Sequence, residues 1–153
     1  MIDSSFPRYT DYDPKVPVWC VTPNRPRCFH RFFDTSPISP SGRYLAAFQL
    51  PFEDRRPRPG ETGNVVVVDL ETGEDRVVAE TRGWEPQMGA NINWGGTDHQ
   101  LFFNDVDTDD WQPFAWKLDP LSGEKQRMGG SVYHASPDGR WLISAKDRKS
   151  TRL

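Results

Sequence analysis

The sequence predicts an all-β chain, and three observations support that fold class. The 12 glycines and 14 prolines among the 153 residues are spread along the whole chain and interrupt any long helix. No window shows apolar residues at the i, i+3, i+4, i+7 spacing of an amphipathic helix. Instead, short runs rich in β-branched and aromatic residues lie between turn sequences, which is the pattern of strands.

The predicted strands are runs of four to seven residues that lie between turn sequences. In chain order they are Tyr44–Leu50, Asn64–Leu70, Arg76–Ala79, Ala90–Trp94, Gln100–Asn104, Phe114–Leu118, Ser131–Ala135 and Trp141–Ser144.

Two kinds of turn recur between these strands. The first kind is Ser-Pro-x-Gly-Arg-aromatic-Leu at Ser39–Leu45 and Ser136–Leu142, with a degenerate copy at Trp94–Leu101. The second kind ends in Gly-Glu and occurs at Asp69–Glu74 and Asp119–Glu124. In both kinds we expect the glycine to take the left-handed conformation that closes the turn. The two kinds alternate in phase, which indicates an internal repeat.

The repeat has the length of a β-propeller blade. The two Gly-Glu turns lie about 50 residues apart. We predict an irregular lead-in over residues 1–29, one blade over 30–80, a second over 81–130 and a partial third over 131–146. The chain would then hold the N-terminal two to three blades of a propeller. Since blades bury their faces only against neighbouring blades, we expect large exposed apolar faces here, around Val65–Val68 among others.

The last residues break the strand pattern. Residues 147–153, Asp-Arg-Lys-Ser-Thr-Arg-Leu, match the in-frame translation of a common sequencing adapter. We therefore expect this tail to be an artefact, with a basic solvated tail as the alternative.

Composition excludes several classes of partner. The net charge is −3 with both signs interspersed, so no basic surface for nucleic acid is expected. No apolar run approaches the roughly 20 residues that span a bilayer, so no membrane association is expected. No apolar segment follows Met1 as in a secretory signal, which favours the cytoplasm. Cys20 and Cys28 lack zinc-site spacing and are predicted to be free thiols.

The turn sequences resemble a known repeat. Ser-Pro-Asp-Gly-Arg-x-Leu with its Asp-Leu-x-Thr-Gly-Glu partner resembles the TolB-type, WD40-like (PD40) propeller repeat over residues 30–146. In addition, His30–Pro37, Asn93-Trp94-Gly95 and Phe103–Asp107 look like bacterial propellers related to oligogalacturonate and ulvan lyases. This second resemblance implies a seven-bladed ring that acts on acidic, uronate-containing polysaccharide.

The chemistry implied by the lyase resemblance is β-elimination. A base such as histidine or tyrosine removes the proton next to the uronate carboxylate, and the glycosidic oxygen then leaves. A cation, either arginine or a metal, has to stabilise the developing enolate. In such propellers these groups come from several blades. The chain is therefore expected to be inactive as an isolated fragment, and the cofactor is left open.

Four residues are the candidates for this site. His134 lies at the end of an innermost strand, where propellers often bind ligands, and His30 begins the first blade. Both are candidate general bases, although either could instead hydrogen-bond a turn or pack in the core. Arg31 and Tyr133 are the candidate substrate-binding residues. No metal ligands are assigned, because the acidic run 104–110 lacks the glycine and glutamate of a calcium loop.

A second hypothesis belongs to a different functional class. The chain could be part of a non-catalytic, WD40-like scaffold that presents its loops to a protein or another ligand. Nucleophile-elbow, Walker and dinucleotide motifs are absent from the sequence, which disfavours hydrolases and nucleotide enzymes. Whether the chain belongs to an enzyme therefore stays open between a polysaccharide lyase and a binding module.

Overall fold

The computed structural model describes residues 5–144, and the predicted all-β class is confirmed. The predicted tail at 147–153 lies outside the described residues. The described residues form ten strands, in chain order: β1 Cys28–Phe29, β2 Tyr44–Gln49, β3 Gly63–Asp69, β4 Asp75–Thr81, β5 Asn93–Trp94, β6 Leu101–Val106, β7 Pro113–Leu118, β8 Lys125–Arg127, β9 His134–Ala135 and β10 Leu142–Ile143.

The strands form two four-stranded antiparallel sheets and a separate pair. The first sheet has the order β1-β2-β3-β4, the second β5-β6-β7-β8, and β9 pairs with β10. Each strand pairs with its sequence neighbour, so the sheets are meanders. This arrangement is the one that propeller blades adopt.

The structure corrects the predicted strands at four places. β8 was missed because its three side chains are all exposed, so no apolar alternation marks it. The first sheet begins at Cys28, inside the predicted lead-in, because β1 pairs with the end of β2. The strand expected at 90–94 is reduced to two residues, since Asn91 has a left-handed φ of 55°. The strand expected at 131–135 also shortens, because the Asn104 side chain takes both backbone groups of Val132.

The recurring turns have the predicted geometry. The first-kind glycines Gly42 and Gly139 have φ of 82° and 67°, and the second-kind glycines Gly73 and Gly123 have 81° and 83°. The degenerate turn instead places Asp98 against its neighbour, where the carboxylate accepts the backbone N–H of Ser41 at 3.1 Å and its hydroxyl at 2.5 Å. Matching turns of adjacent sheets therefore lie side by side.

The main core lies between the first two sheets. Phe48, Val65 and Val67 face it from the first sheet, and Leu101 and Phe103 face it from the second. All five side chains are at most 2% exposed. The opposite face of the second sheet is covered in turn by the segment around β9, which packs its apolar residues on Phe102 and Ala115. The sheets are therefore stacked face to face along the chain.

The lead-in covers the other face of the first sheet. Phe6 is buried on Val66 and Val68, with Trp19 and Val21 packed beside it. Both valines are fully buried, so the expectation that the Val65–Val68 faces lie exposed in this chain is wrong. The reason is that the alternating valines of one strand face two different partners, of which the second is the lead-in.

The two cysteines, Cys20 and Cys28, do not form a disulfide. Both cysteines are free thiols, and burial raises the pKa of the Cys28 thiol.

The structure of residues 5–144 contains no helix that could span a membrane.

Two glycines test the docking of the lead-in. In Gly73→Ala, the new Cβ would lie 2.6 Å from the backbone oxygen of Ser5, whereas in Gly123→Ala it meets nothing within 4 Å. Both changes strain a left-handed residue, at a cost of roughly 1–2 kcal/mol. We expect Gly73→Ala to lower the free energy of unfolding, measured in urea, by more than Gly123→Ala. Equal losses in the two variants would contradict the docking.

Candidate functional site

A cleft of about 310 Å³ lies where the innermost strands of the three sheets meet. We call it the inner cleft. Asp34, Thr35 and Ser36 line it from the first sheet, and Asn93 with Trp94 from the second. His134 lines it from β9. The three sheets thus contribute to one concave surface, as propeller clefts require.

A loop in the first sheet supplies one wall of the inner cleft. The inner edge of this sheet pairs with β2 first through β1 and again through a bridge from Ile38 to Leu45. The segment between the two pairings holds six more residues than an unbroken pairing would need. These residues bulge away from the sheet and carry Arg31 and Asp34.

The two candidate histidines have different surroundings. His30 is hydrogen-bonded locally, with Nε2 at 2.7 Å from the backbone oxygen of Thr35 and 3.2 Å from its hydroxyl. His134 is half-buried, and its imidazole makes no hydrogen bond within residues 5–144. Only His134 lines the inner cleft. The assignment of either residue as a base stays a prediction.

Arg31 and Tyr133 are brought together although they are 102 residues apart. The Arg31 guanidinium donates from Nη1 to the backbone oxygen of Tyr133 at 2.6 Å and from Nη2 to the Asp34 carboxylate at 3.1 Å. It also lies 5.2 Å from the centre of the Tyr133 ring. The Arg31 side chain is 1% exposed. Nη1 and Nη2 therefore have partners within the chain, whereas the buried Nε has none within residues 5–144.

Sequence reasoning missed the asparagines around β9. Asn91 donates to the backbone oxygens of Val132 and Tyr133, and Asn104 both donates to and accepts from the backbone of Val132. These contacts fix the segment that leads into His134. Asparagine is uncommon in strands, so its recurrence at 91, 93 and 104 was the available indication.

Two further acidic residues, Asp105 and Asp119, accept hydrogen bonds from other side chains. Burial raises the pKa of Asp105, but hydrogen bonds from the Trp116 indole and from the backbone of Arg82 outweigh it and leave the pKa below its usual value. His99 lies on an exposed turn, where Nδ1 is 3.0 Å from the Asp119 carboxylate. Within residues 5–144, no cluster of three histidine, cysteine or acidic side chains is arranged to hold a metal.

Comparison with solved structures decides the fold. The structure is similar to TolB from Acinetobacter baumannii, with a TM-score of 0.60 and 18% sequence identity over 94% of this chain. The chain has the fold of part of a TolB-like β-propeller. It spans 32% of the length of that TolB chain.

A second solved structure matches this chain only weakly. An oligogalacturonate lyase from Vibrio parahaemolyticus matches over 96% of this chain and 79% of its own, at 11% identity and a TM-score of 0.34. A likeness at that level carries no argument about activity. No protein-family model and no curated protein matches the sequence.

The Arg31 contacts predict a structural effect of substitution. Arg31→Gln leaves the Tyr133 carbonyl and the Asp34 carboxylate without their charged donor, so we expect it to lower the free energy of unfolding by roughly 2–3 kcal/mol. The exposed Arg56→Gln is the control, with an expected change within about 0.5 kcal/mol. Urea unfolding measures both. Unchanged stability in Arg31→Gln together with weaker glycan binding would instead support the role predicted from sequence.

The turn at Asp119 predicts a dependence of stability on acid. Burial opposes the charge of Asp119, but hydrogen bonds from the backbone N–H of Leu121 and from His99 outweigh it and lower the pKa from 3.8 to about 2. The ionised carboxylate therefore stabilises the fold above about pH 4, and this contribution is lost as the pH falls towards 2. We expect the free energy of unfolding of Asp119→Asn to fall less steeply over that range. Parallel pH profiles of variant and parent would contradict the assignment.

Proposed function

We propose that this chain is part of a non-catalytic, ligand-binding β-propeller and that the inner cleft is its binding site. The observation that supports this is the placement of Arg31. Its side chain is 1% exposed, and its guanidinium already contacts Tyr133 and Asp34. Arg31 therefore does not supply the inner cleft with the cation that an elimination reaction needs.

The lining of the inner cleft suggests the chemistry of the ligand. Thr35 and Ser36 offer hydroxyl groups, and His134 offers an imidazole that can donate or accept. Among the described residues that line it, the one carboxylate, Asp34, is already paired with the Arg31 guanidinium at 3.1 Å, and none supplies a free lysine or arginine cation. A neutral ligand rich in hydroxyl groups, such as a glycan segment, fits such a surface better than a polyanion does.

A second candidate function, β-elimination on an acidic glycan, is favoured by His134. Its imidazole lines the inner cleft without a hydrogen bond from residues 5–144, so Nδ1 or Nε2 could take a proton. In that reaction the proton next to the carboxylate moves to the imidazole. The electron pair left on carbon forms the new double bond, and the glycosidic oxygen leaves with the bonding pair. The stabilising cation would have to come from residues of another blade.

One experiment separates the two functions. The chain is titrated with neutral and uronate-containing oligosaccharides, with binding followed by calorimetry and unsaturated product by ultraviolet absorbance. We expect binding without an increase in absorbance, and we expect His134→Gln to weaken binding about tenfold through loss of a hydrogen bond. His99→Gln, on an exposed turn, is the matched control and should bind like the parent.

Formation of unsaturated product would overturn the proposal. An absorbance increase that His134→Gln abolishes and His99→Gln retains would establish elimination and overturn the non-catalytic function.

A further inference from the structure

A second cleft opens at the loop end of the blades. Its volume is about 390 Å³, within the range of sites for small molecules. We call it the loop cleft. It lies between the segment that follows β4 and the segment that leads into β9, and the residues that matter here are Arg82, Trp84, Met88, Asn91 and Tyr133. Since Tyr133 and His134 are neighbours in an extended segment, they face different clefts.

The deepest polar group of the loop cleft is an acceptor without a donor. Asn91 is 6% exposed, and its Oδ1 has no hydrogen-bond partner within residues 5–144. Its Nδ2 donates to the backbone oxygens of Val132 and Tyr133. Rotating the amide would set Oδ1 against these two oxygens, so its orientation is fixed. A buried acceptor without a partner is costly, and a small shift of the cleft wall would let a donor from outside the chain reach and satisfy it.

The rim of the loop cleft carries the Arg82 guanidinium, a cation without a partner in residues 5–144. The backbone N–H of Arg82 donates to the Asp105 carboxylate at 2.9 Å, which holds this residue in place. Its guanidinium forms neither an ion pair nor a hydrogen bond within residues 5–144, and the residue is exposed. An arginine held by its backbone with a free planar guanidinium suits a carboxylate, which it can bind through two parallel hydrogen bonds.

The walls between these two groups are largely apolar and partly rigid. Trp84 donates from its indole to the backbone oxygen of Glu61 at 2.6 Å, which fixes the ring. Met88, Val106 and Pro113 also line the loop cleft. Two carboxylates line it as well, Glu85 and Asp105, and both accept hydrogen bonds from backbone N–H groups. The ligand therefore needs an apolar part as well as its two polar groups.

We propose that the loop cleft binds a small carboxylate that carries an adjacent hydrogen-bond donor and an apolar substituent, as α-amino and α-hydroxy acids do. The carboxylate pairs with the Arg82 guanidinium. The ammonium or hydroxyl group donates to Asn91 Oδ1. The apolar substituent packs against Trp84 and Met88. This site is independent of the inner cleft and of the proposed function.

A matched set of ligands tests each contact. The full chain is titrated with leucine, with 2-hydroxy-4-methylpentanoate and with 4-methylpentanoate, which has the same carbon skeleton but no donor. Calorimetry or ligand-observed NMR measures the affinity. We expect the first two compounds to bind at least about tenfold more tightly than the third, because the third leaves Asn91 Oδ1 unsatisfied. Equal binding of all three, or binding of none at millimolar concentration, would overturn the proposal.

Two arginine variants on the loop side test the anion contact without touching the core. Arg82→Gln should weaken leucine binding about tenfold, whereas Arg56→Gln, a second exposed arginine that does not line the loop cleft, should leave it unchanged. Equal affinities in the two variants would overturn the assignment of Arg82. His134→Gln should also bind leucine like the parent, which keeps this result separate from the test of the inner cleft.

The Asn91 contact is tested by NMR rather than by substitution, because replacing Asn91 would also remove its hydrogen bonds to the segment before β9. With ¹⁵N-labelled chain, leucine should shift the side-chain amide resonances of Asn91, while those of Asn64, which lies outside the loop cleft, stay in place. A high-resolution structure soaked in leucine that shows only water at Asn91 Oδ1 would overturn the proposal.

Discussion

The structure depends on the burial of both faces of the two four-stranded sheets. Along β3, successive valines face opposite sides, so one strand takes part in two separate cores. One core is supplied by the second blade and the other by the lead-in. Burial of this apolar surface is the main stabilising contribution available to sheets without a helical layer. The lead-in therefore has a defined position, although its own sequence shows no regular pattern.

A polar cluster at the backbone of Val132 and Tyr133 joins the three blades to one another. Arg31 reaches it from the first blade, and Asn91 and Asn104 reach it from the second. Buried backbone oxygens need donors, so these side chains replace the strand partner that the short β9 does not have. The same cluster separates the two clefts, because His134 follows it on one side and the Tyr133 ring lies on the other. The hydrogen bonds that join the blades therefore also shape the two candidate binding surfaces.

The TolB-like propeller fold explains where the clefts lie without determining what they bind. Inner strands converge, so side chains from three blades meet there while the outer strands diverge. Ligand chemistry then depends on which polar groups remain unsatisfied after folding. In the inner cleft this group is the imidazole of His134, and in the loop cleft it is the amide oxygen of Asn91. Arg31 is an intermediate case, since folding uses Nη1 and Nη2 internally but leaves its buried Nε without a partner within residues 5–144.

Local sequence patterns were sufficient to predict the features that depend on near neighbours along the chain. The strands with alternating apolar residues and the glycine turns at Gly42, Gly73, Gly123 and Gly139 followed from local conformational preference. Tertiary structure alone decided the features that depend on distant residues. These include the position of the lead-in, the pairing of the fully exposed β8, the burial of Arg31 and the unsatisfied oxygen of Asn91. The physical reason is that burial and hydrogen-bond satisfaction depend on residues up to 102 positions away, and local patterns carry no information about them.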